Sequence, residues 1–398
     1  MRSLGVESYG VYTAMFSLMT WLFLFDIGIS KGMRNHLTIA LVDNKIITAK
    51  ELISTAYFTT GGASFFFFIA IVIFTWNFDL ASFLNITIYS SSQIFKLYIV
   101  FLIIMFSKLF FGTIDQILYA KHKSSINSLN VLSINILYVL LLVFCLFNDL
   151  DNIVLISTFY GVCVVFSYTF TTIFFFRNNK ILIPSFSFYK KFLIKEIMGD
   201  GLKILLIQMF FFTFVGLDRF ILLKEASGVE VTNYDIMYKV MSLLLFPWSV
   251  IAQPLWSSYA EAYKRNDLAW IKKIYKRLIL FFVLIAFGVL FLSYIFNFIT
   301  SIWINEVLNV DFKTLLLTGL LILTIMWSTM HSDILFGISK YRTGIIGATL
   351  GVLIKMSLIY WCINSGFSIS KLLLSSILAY MIFCVIAPLN IYITLKEE

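Results

Sequence analysis

Five basic side chains fall inside otherwise apolar segments: Lys108, Lys203, Arg219, Lys239 and Lys355. A cation at the centre of a membrane helix costs about 2.5–3.5 kcal/mol on insertion scales, so each needs a partner, water or a ligand. Lys203, Arg219 and Lys239 lie within a turn or two of a segment end and can snorkel to the interface. Lys108 and Lys355 lie deeper. Lys108 shares a helix face with Gly112 and Asp115, and Lys355 follows Gly347 and Gly351 at four-residue spacing, with Gly344 and Ala348 beside them. A small-residue face of this kind permits close packing or borders a cavity. Two chemistries suit the deep lysines: an interhelical ion pair with no ligand, or a cation-lined cavity that draws in an anionic substrate. The acids inside the apolar segments are Asp26, Asp115, Asp200, Asp218, Asp235 and Asp333. Asp218, Arg219, Asp235 and Lys239 sit near the adjoining ends of consecutive segments. They suit one charged cluster, acting either as a packing network or as a gate or proton site. His331 with Asp333 suits a structural pair more often than a proton relay, and His36 and His122 fall in loops and suggest no role.

Catalytic constellations are absent. There is no phosphate loop of the GxxxxGK[ST] type, no HExxH, no GxSxG and no paired Cys/His ligand set. No catalytic residue, metal or cofactor is expected, and any transport would draw on ion or substrate gradients. Cys145, Cys163, Cys362 and Cys384 all lie in apolar runs and read as small core residues.

The elements that must position these charges are membrane helices. Of the 398 residues 60% are hydrophobic and 13% charged, against about 25% charged in a soluble domain. The apolar runs are about 20 residues long and do not alternate as barrel strands do, so the fold class is all-α. Eleven spans are predicted, roughly 9–30, 52–75, 94–118, 126–147, 153–176, 199–223, 233–258, 278–303, 314–338, 343–363 and 372–394. Lys and Arg concentrate in alternate connections, such as Lys121 with Lys123, Arg177 to Lys195, and Lys264 to Arg277. That bias places these loops and the C-terminus in the cytoplasm. It also explains much of the net charge of +9, so nucleic acid is not an expected partner. Trp76, Trp303 and Trp361 fall where an interfacial belt is expected. The segments Ser30 to Lys50 and Glu261 to Arg277 read as basic helices lying on the inner membrane surface.

The stretch from Val231 to Arg277 carries a polar stripe. Asp235, Lys239, Ser242, Ser249, Gln253 and Ser257 recur every three or four residues, with Phe246 in the same row, and Pro247 and Pro254 interrupt the helix. Polar groups are costly against lipid, so the stripe is expected to face other helices or water. The prolines are candidate bending points. An internal repeat accompanies this stretch. Gly5-Val6-Glu7, a span and ALVDNKIITAK echo Gly228-Val229-Glu230, a span and AYKRNDLAWIKK, at an offset of about 222 residues. Chance similarity in a biased composition is the alternative. A span precedes the second copy and none the first. The expected organisation is therefore two pseudo-symmetric lobes of six helices with the first helix missing. The lobes are residues 1–176 and 199–398, joined by a linker at 177–198.

At residues 4–41, LGVESYGVYTAMFSLMTWLFLFDIGISKGMRNHLTIAL resembles the opening of bacterial O-antigen flippases. GLDRFILL at 216–223 and PLWSSYAEAYKRNDLAWIKK at 254–273 are similar to the same family's second half. That family sits in the multidrug/oligosaccharide-lipid/polysaccharide exporter superfamily, whose members have twelve helices in two lobes. The resemblance implies a transporter, not an enzyme, in the bacterial inner membrane. Its substrate would be an undecaprenyl-pyrophosphate-linked oligosaccharide, flipped from the inner to the outer leaflet by alternating access. H+ or Na+ are candidate coupling ions, and membrane lipid and other polysaccharide-assembly membrane proteins are candidate partners. On this reading Lys108, Arg219, Lys239, Gln253 and Lys355 would line the lumen, and Asp26, Asp218 and Asp235 would gate it or couple it to an ion. Three rivals remain. A multidrug/cation antiporter of the same fold would place acids, not lysines, at mid-membrane. A polysaccharide polymerase would carry a large outward loop with polar catalytic residues. A lipid II flippase is the least excluded.

Overall fold

The computed structural model describes residues 28–76, 79–83, 89–148, 150, 152–225, 228–303 and 310–397. Every regular element among them is helical. Among the described residues nine helices are long and apolar enough to cross a membrane, or ten if one bent pair counts as a single span. These ten match ten of the eleven predicted spans; the first, at 9–30, lies almost wholly outside the described residues. Large apolar side chains such as Phe65, Phe74, Phe147, Phe170 and Phe298 stay exposed along the helices. That is the surface a lipid solvent requires and water would penalise.

The chain divides into two compact units, 1–205 and 206–398. The division falls inside one continuous helix, whereas the sequence reading put a linker at 177–198. In the first unit the helices are α1 (Ile29–Val42), α2 (Ile46–Thr75), α3 (Ser91–Phe111), α4 (Thr113–Ala120), α5 (Ser124–Phe147), α6 (Ile153–Asn178) and the start of α7 (Lys191–Glu225). Helix α6 packs along α3, and α1 packs on α2 and α4. The second unit holds the rest of α7, then α8 (Gly228–Ser242), α9 (Leu245–Lys264), α10 (Leu268–Trp303), α11 (Phe312–Gly337), α12 (Arg342–Asn364) and α13 (Ile369–Glu397). Here α13 packs against both α11 and α12, with Met326, Ile334, Phe383 and Ala387 among the buried residues.

Helix α1 corrects one expectation. It does not lie on the membrane surface: Met33, Arg34, Asn35 and Leu37 are buried within the first unit. The Arg34 guanidinium stacks 4.4 Å above the Tyr119 ring, a cation–π contact that offsets part of its desolvation. His36, placed in a loop by the sequence reading, faces α7, with Asp200 at 3.2 Å and Glu196 at 3.5 Å. Glu261 to Arg277 is likewise no separate surface helix. It is the end of α9 and the start of α10, with the basic side chains exposed around the turn.

Four helices end in the same left-handed cap, two of them at matching positions of the expected repeat. Asn44 and Asn266, 222 positions apart, both adopt left-handed backbone, with φ of 57° and 56°. Each follows a helix closed by the same pair of bonds, Asn44 N–H to Leu41 O with Lys45 N–H to Ala40 O, and Asn266 N–H to Tyr263 O with Asp267 N–H to Ala262 O. His122 (φ 55°) and Ser339 (φ 57°) close α4 and α11 in the same way. Such a C-cap favours glycine, tolerates asparagine and strains other residues. Ser339→Gly is therefore expected to stabilise the protein by about 0.5–1 kcal/mol, measured as a rise in unfolding temperature in detergent. Asn266→Gly should shift it less.

Between α8 and α9 the span bends by 53°. The cause is local. Proline has no N–H, so Pro247 cannot bond the Leu243 carbonyl four residues back. Phe246 N–H takes that carbonyl at 3.3 Å instead, and the chain turns at Leu243–Leu244. On the polar stripe, Ser242 and Ser249 donate to the carbonyls of Lys239 and Phe246 on their own helices, at 2.8 and 2.9 Å.

Candidate functional site

Three of the predicted site residues fall in two separate places, Lys108 in the first unit and Lys355 with Asp218 in the second. In the first unit a cavity of about 160 Å³ opens among α1, α3, α4 and α6. Lys108, Gly112 and Asp115 line it together, on the one face their spacing predicts, and are joined by Ser30, Lys31, Gln116 and Tyr168. Gly112 marks the junction of α3 with α4, and its N–H bonds the Lys108 carbonyl at 2.7 Å. The Tyr168 hydroxyl donates to Asp115 Oδ2 at 2.9 Å, and Asn127 Nδ2 donates to the Asp115 carbonyl at 3.1 Å. These bonds hold the carboxylate in place. The Ser30 and Thr113 hydroxyls lie 3.1 Å apart and tie α1 to α4. Gln116 Oε1 is buried without a hydrogen-bond partner. A buried acceptor in that state calls for a donor from water or a ligand.

The cavity brings the Lys31 and Lys108 ammonium groups together with the Asp115 carboxylate and the Gln116 amide. Of its lining, the sequence reading singled out Lys108, Gly112 and Asp115. Ser30 and Lys31 fell in the segment read as a surface helix, and Gln116 and Tyr168 lie where nothing in the spacing marks them.

In the second unit Lys355 and Asp218 are both wholly buried and form an ion pair across α12 and α7. Lys355 Nζ also donates to Ser375 Oγ at 2.9 Å and Ser376 Oγ at 2.5 Å. Asp218 Oδ2 accepts from Ser376 Oγ at 2.7 Å and from the Tyr234 hydroxyl at 3.1 Å. All three ammonium donors are thus engaged within the protein. Of the two chemistries open to this lysine, the structure shows the interhelical pair. The small-residue face beside it serves packing: a Cβ on Gly351 would lie 2.6 Å from the Ala379 carbonyl oxygen, and one on Gly347 would meet Phe383. Ser375 and Ser376 were missed, although a Ser-Ser pair in the apolar run LLLSSILAY is a visible signal.

The other candidates are scattered. Lys239, near the end of α8, and Gln253, on α9, are exposed, and Asp235 is half-buried. Asp218, expected to cluster with Asp235 and Lys239, bonds Lys355 instead. The Arg219 side chain and Asp26 lie outside the described residues. His331 is buried, with Nε2 2.9 Å from the Tyr275 hydroxyl and Nδ1 2.7 Å from the Trp327 carbonyl, a structural arrangement. Among the described residues no group of three His, Cys, Asp or Glu could hold a metal ion.

The fold and the two buried charge sites define a multi-pass membrane protein with two helical units. It has the fold of the MATE transporters. A crystal structure of MATE in the straight conformation superposes with a TM-score of 0.82 at 14% identity, covering 99% of this chain and 90% of that one. An outward-facing multidrug resistance MATE family transporter of the MOP superfamily gives 0.81 at 13%, covering 99% and 89%. A MOP superfamily transporter from Pyrococcus furiosus, described as having a binding pocket of reverse polarity, gives 0.80 at 14%, covering 99% and 89%. Among curated proteins, a "Putative O-antigen transporter" from Salmonella typhi is 22% identical over 404 residues, covering 90% of this chain and 88% of its own length. No protein-family model matches the chain. The suspected likeness to the exporter superfamily thus stands on both the sequence relative and the fold.

Proposed function

We propose that the protein is a flippase for a lipid-linked oligosaccharide with a phosphate or diphosphate head, the undecaprenyl-pyrophosphate repeat unit being the substrate that fits best. The observation that carries this reading is the cavity that gathers Lys31 and Lys108 with polar side chains inside the first unit. Lys31 and Lys108 supply positive charge in a low-dielectric setting, where attraction for a diphosphate is strong. Gln116, Ser30 and Tyr168 offer the hydrogen-bonding groups that sugars use. The relative named for O-antigen transport supports the same substrate class. Alternating access would rock one unit against the other, with the basic loop ends facing the cytoplasm of a bacterial inner membrane. Lys239 and Gln253, exposed on the polar stripe, remain candidate substrate contacts.

The multidrug/cation antiporter reading draws on the MATE fold but is less well served by the charges. A cation carrier needs a free buried carboxylate, whereas Asp218 is neutralised by Lys355, and Asp115 shares its cavity with two lysines.

The test is complementation of a bacterial strain that lacks its O-antigen flippase. The intact chain should restore surface polysaccharide. Lys108→Ala should lower it about tenfold or more, as loss of a charge-assisted contact requires, while inserting to the same level by immunoblot. Lys108→Arg should retain most of the activity. Equal restoration by wild type and Lys108→Ala would remove Lys108 from the site, and dye efflux without polysaccharide export would favour the antiporter.

A further inference from the structure

Residues 179–190, between α6 and α7, are not a free loop. They form two short 3-10 turns, Lys180–Leu182 and Phe186–Phe188, laid against α2. Backbone bonds fasten them there: Ser185 N–H donates to Ser54 Oγ at 3.1 Å, and Lys190 N–H donates to Thr55 Oγ1 at 3.0 Å. At one end Lys121 Nζ donates to Asn179 Oδ1 at 2.7 Å, and at the other Lys190 pairs with Glu51 at 3.7 Å. Leu182 is buried beneath this strap.

The strap nevertheless turns apolar side chains outward. Ile181, Ile183 and Phe186 are 68%, 45% and 73% exposed, and Phe192, just beyond on α7, is 67% exposed. Contiguous exposed apolar surface of this kind marks contact with a partner or a membrane. The Phe186 and Tyr189 rings stack 5.8 Å apart, and the Phe58 ring of α2 meets them edge-on at 5.4 and 6.5 Å. Phe58 is exposed, and so is Phe65, seven residues on and on the same helix face. The apolar surface therefore runs from the lipid-facing side of α2 onto the strap. Charge surrounds it. From Asn179 to Lys195 the sequence carries four lysines and no acid. Lys180, Lys191 and Lys195 are exposed, and Lys50 Nζ lies 4.3 Å above the Phe188 ring.

We propose that residues 179–192 form an interfacial anchor that seats on anionic lipid headgroups at the basic end of the helices. Continuity selects the occupant: the exposed side chains extend a surface that already faces lipid, which a soluble protein partner would not share. Aromatic rings at headgroup level and lysines whose stems lie along apolar surface are what that layer favours. The excess of lysine makes the preferred lipid anionic. The surface role expected of residues 30–50 thus falls to the connection after α6, and it does not depend on the transported substrate. The strap leads directly into α7, the helix within which the two units divide, so a lipid held here bears on the root of that helix.

The experiment places a nitroxide label on the full chain at Ile181→Cys or Ile183→Cys, in nanodiscs of phosphatidylcholine with or without phosphatidylglycerol. Collisions with oxygen report lipid, and collisions with a water-soluble nickel chelate report water. Val139→Cys, on the exposed side of α5, is the lipid reference, and Arg265→Cys, at the exposed turn after α9, is the water reference. The unsubstituted protein gives the background, since Cys145, Cys163 and Cys362 are buried. Both strap labels should favour oxygen, as Val139→Cys does. Phosphatidylglycerol should lower their nickel collisions at least about twofold, and Lys180→Gln with Lys191→Gln and Lys195→Gln should remove that change. Both substituted positions are exposed, so the unfolding temperature should stay that of the unsubstituted protein. Strap labels that collide with nickel as freely as Arg265→Cys in both nanodiscs would overturn the anchor and leave the patch to a protein partner. Labels in lipid that ignore phosphatidylglycerol would overturn the anionic preference.

Discussion

Replacing Lys355 with methionine is expected to destabilise the protein by about 3–5 kcal/mol, because it strands a buried carboxylate. The side chains of Lys355 and Asp218 are both fully buried. Without the ammonium, Asp218 keeps only the hydroxyls of Ser376 and Tyr234. Asp218→Asn should also be costly, leaving a buried charge with two serine partners and a weaker acceptor. The double variant Asp218→Asn with Lys355→Met should be much closer to wild type than the sum of the two, since no buried charge remains. Thermal unfolding of the four proteins in one detergent provides the cycle. Two additive single effects would show that the pair carries no coupling. A Lys355→Met protein that is as stable as wild type but inactive would instead return Lys355 to the substrate site. Surface polysaccharide assays on Lys355 variants need this stability control, because a lost fold and a lost contact both abolish export.

The second large effect is expected at Gly28 and Gly201, where α1 meets α7 within the first unit. A Cβ added at Gly201 would lie 2.3 Å from the Gly28 carbonyl oxygen, and one at Gly28 would lie 2.1 Å from the Gly201 oxygen. Both obstacles are backbone, so no side chain can move aside. Gly28 is further constrained by its φ of 67°. Gly32, one turn on, is equally tight against the Ile197 carbonyl, at 2.1 Å. Gly201→Ala should therefore cost about 3 kcal/mol or more, or block assembly of the unit. Gly199 supplies the control, for an added Cβ there meets nothing within 4 Å. Gly199→Ala should stabilise α7 by about 0.5–1 kcal/mol through helix propensity alone. Folded yield and unfolding temperature of the two variants should move in opposite directions. If Gly201→Ala were tolerated as well as Gly199→Ala, the close crossing of α1 and α7 would be wrong.

The same crossing explains why α1 was misplaced from sequence. Ile29 to Val42 is amphipathic with Lys31 and Arg34 near its start, and an interfacial helix has the same pattern. The signal for burial was GISKG, residues 28–32, a glycine pair at the spacing that lets helices touch. Its partner, Gly201, is 173 positions away from Gly28. Only a contact could show that the two glycines face each other.

Periodicity and hydropathy were sufficient for the ten spans within the described residues, because a helix in lipid satisfies its backbone within one segment and leaves a local record. The Lys108–Gly112–Asp115 face was legible for the same reason: all three belong to adjoining turns. The bend at Leu243–Leu244 was readable to within a turn from Pro247.

Pairing between helices was not legible. Composition showed that Lys355 required compensation, but the choice between Asp218, another acid and a ligand depended on how α7, α12 and α13 pack. Asp218 has Arg219 beside it in sequence, yet adjacent residues on a helix point about 100° apart, and the carboxylate turns to Lys355 instead. In the same way the sequence marked Lys108 as an anomaly, and the tertiary structure supplied Lys31, Gln116 and Tyr168 around it. What the sequence determined by itself was a helical membrane protein with two lobes and cations too deep to be accidental. What only the tertiary structure decided was that one deep lysine is locked in a buried ion pair and that the other lines a cavity, because charge compensation in a low-dielectric interior depends on distances of a few ångströms between helices far apart in the chain.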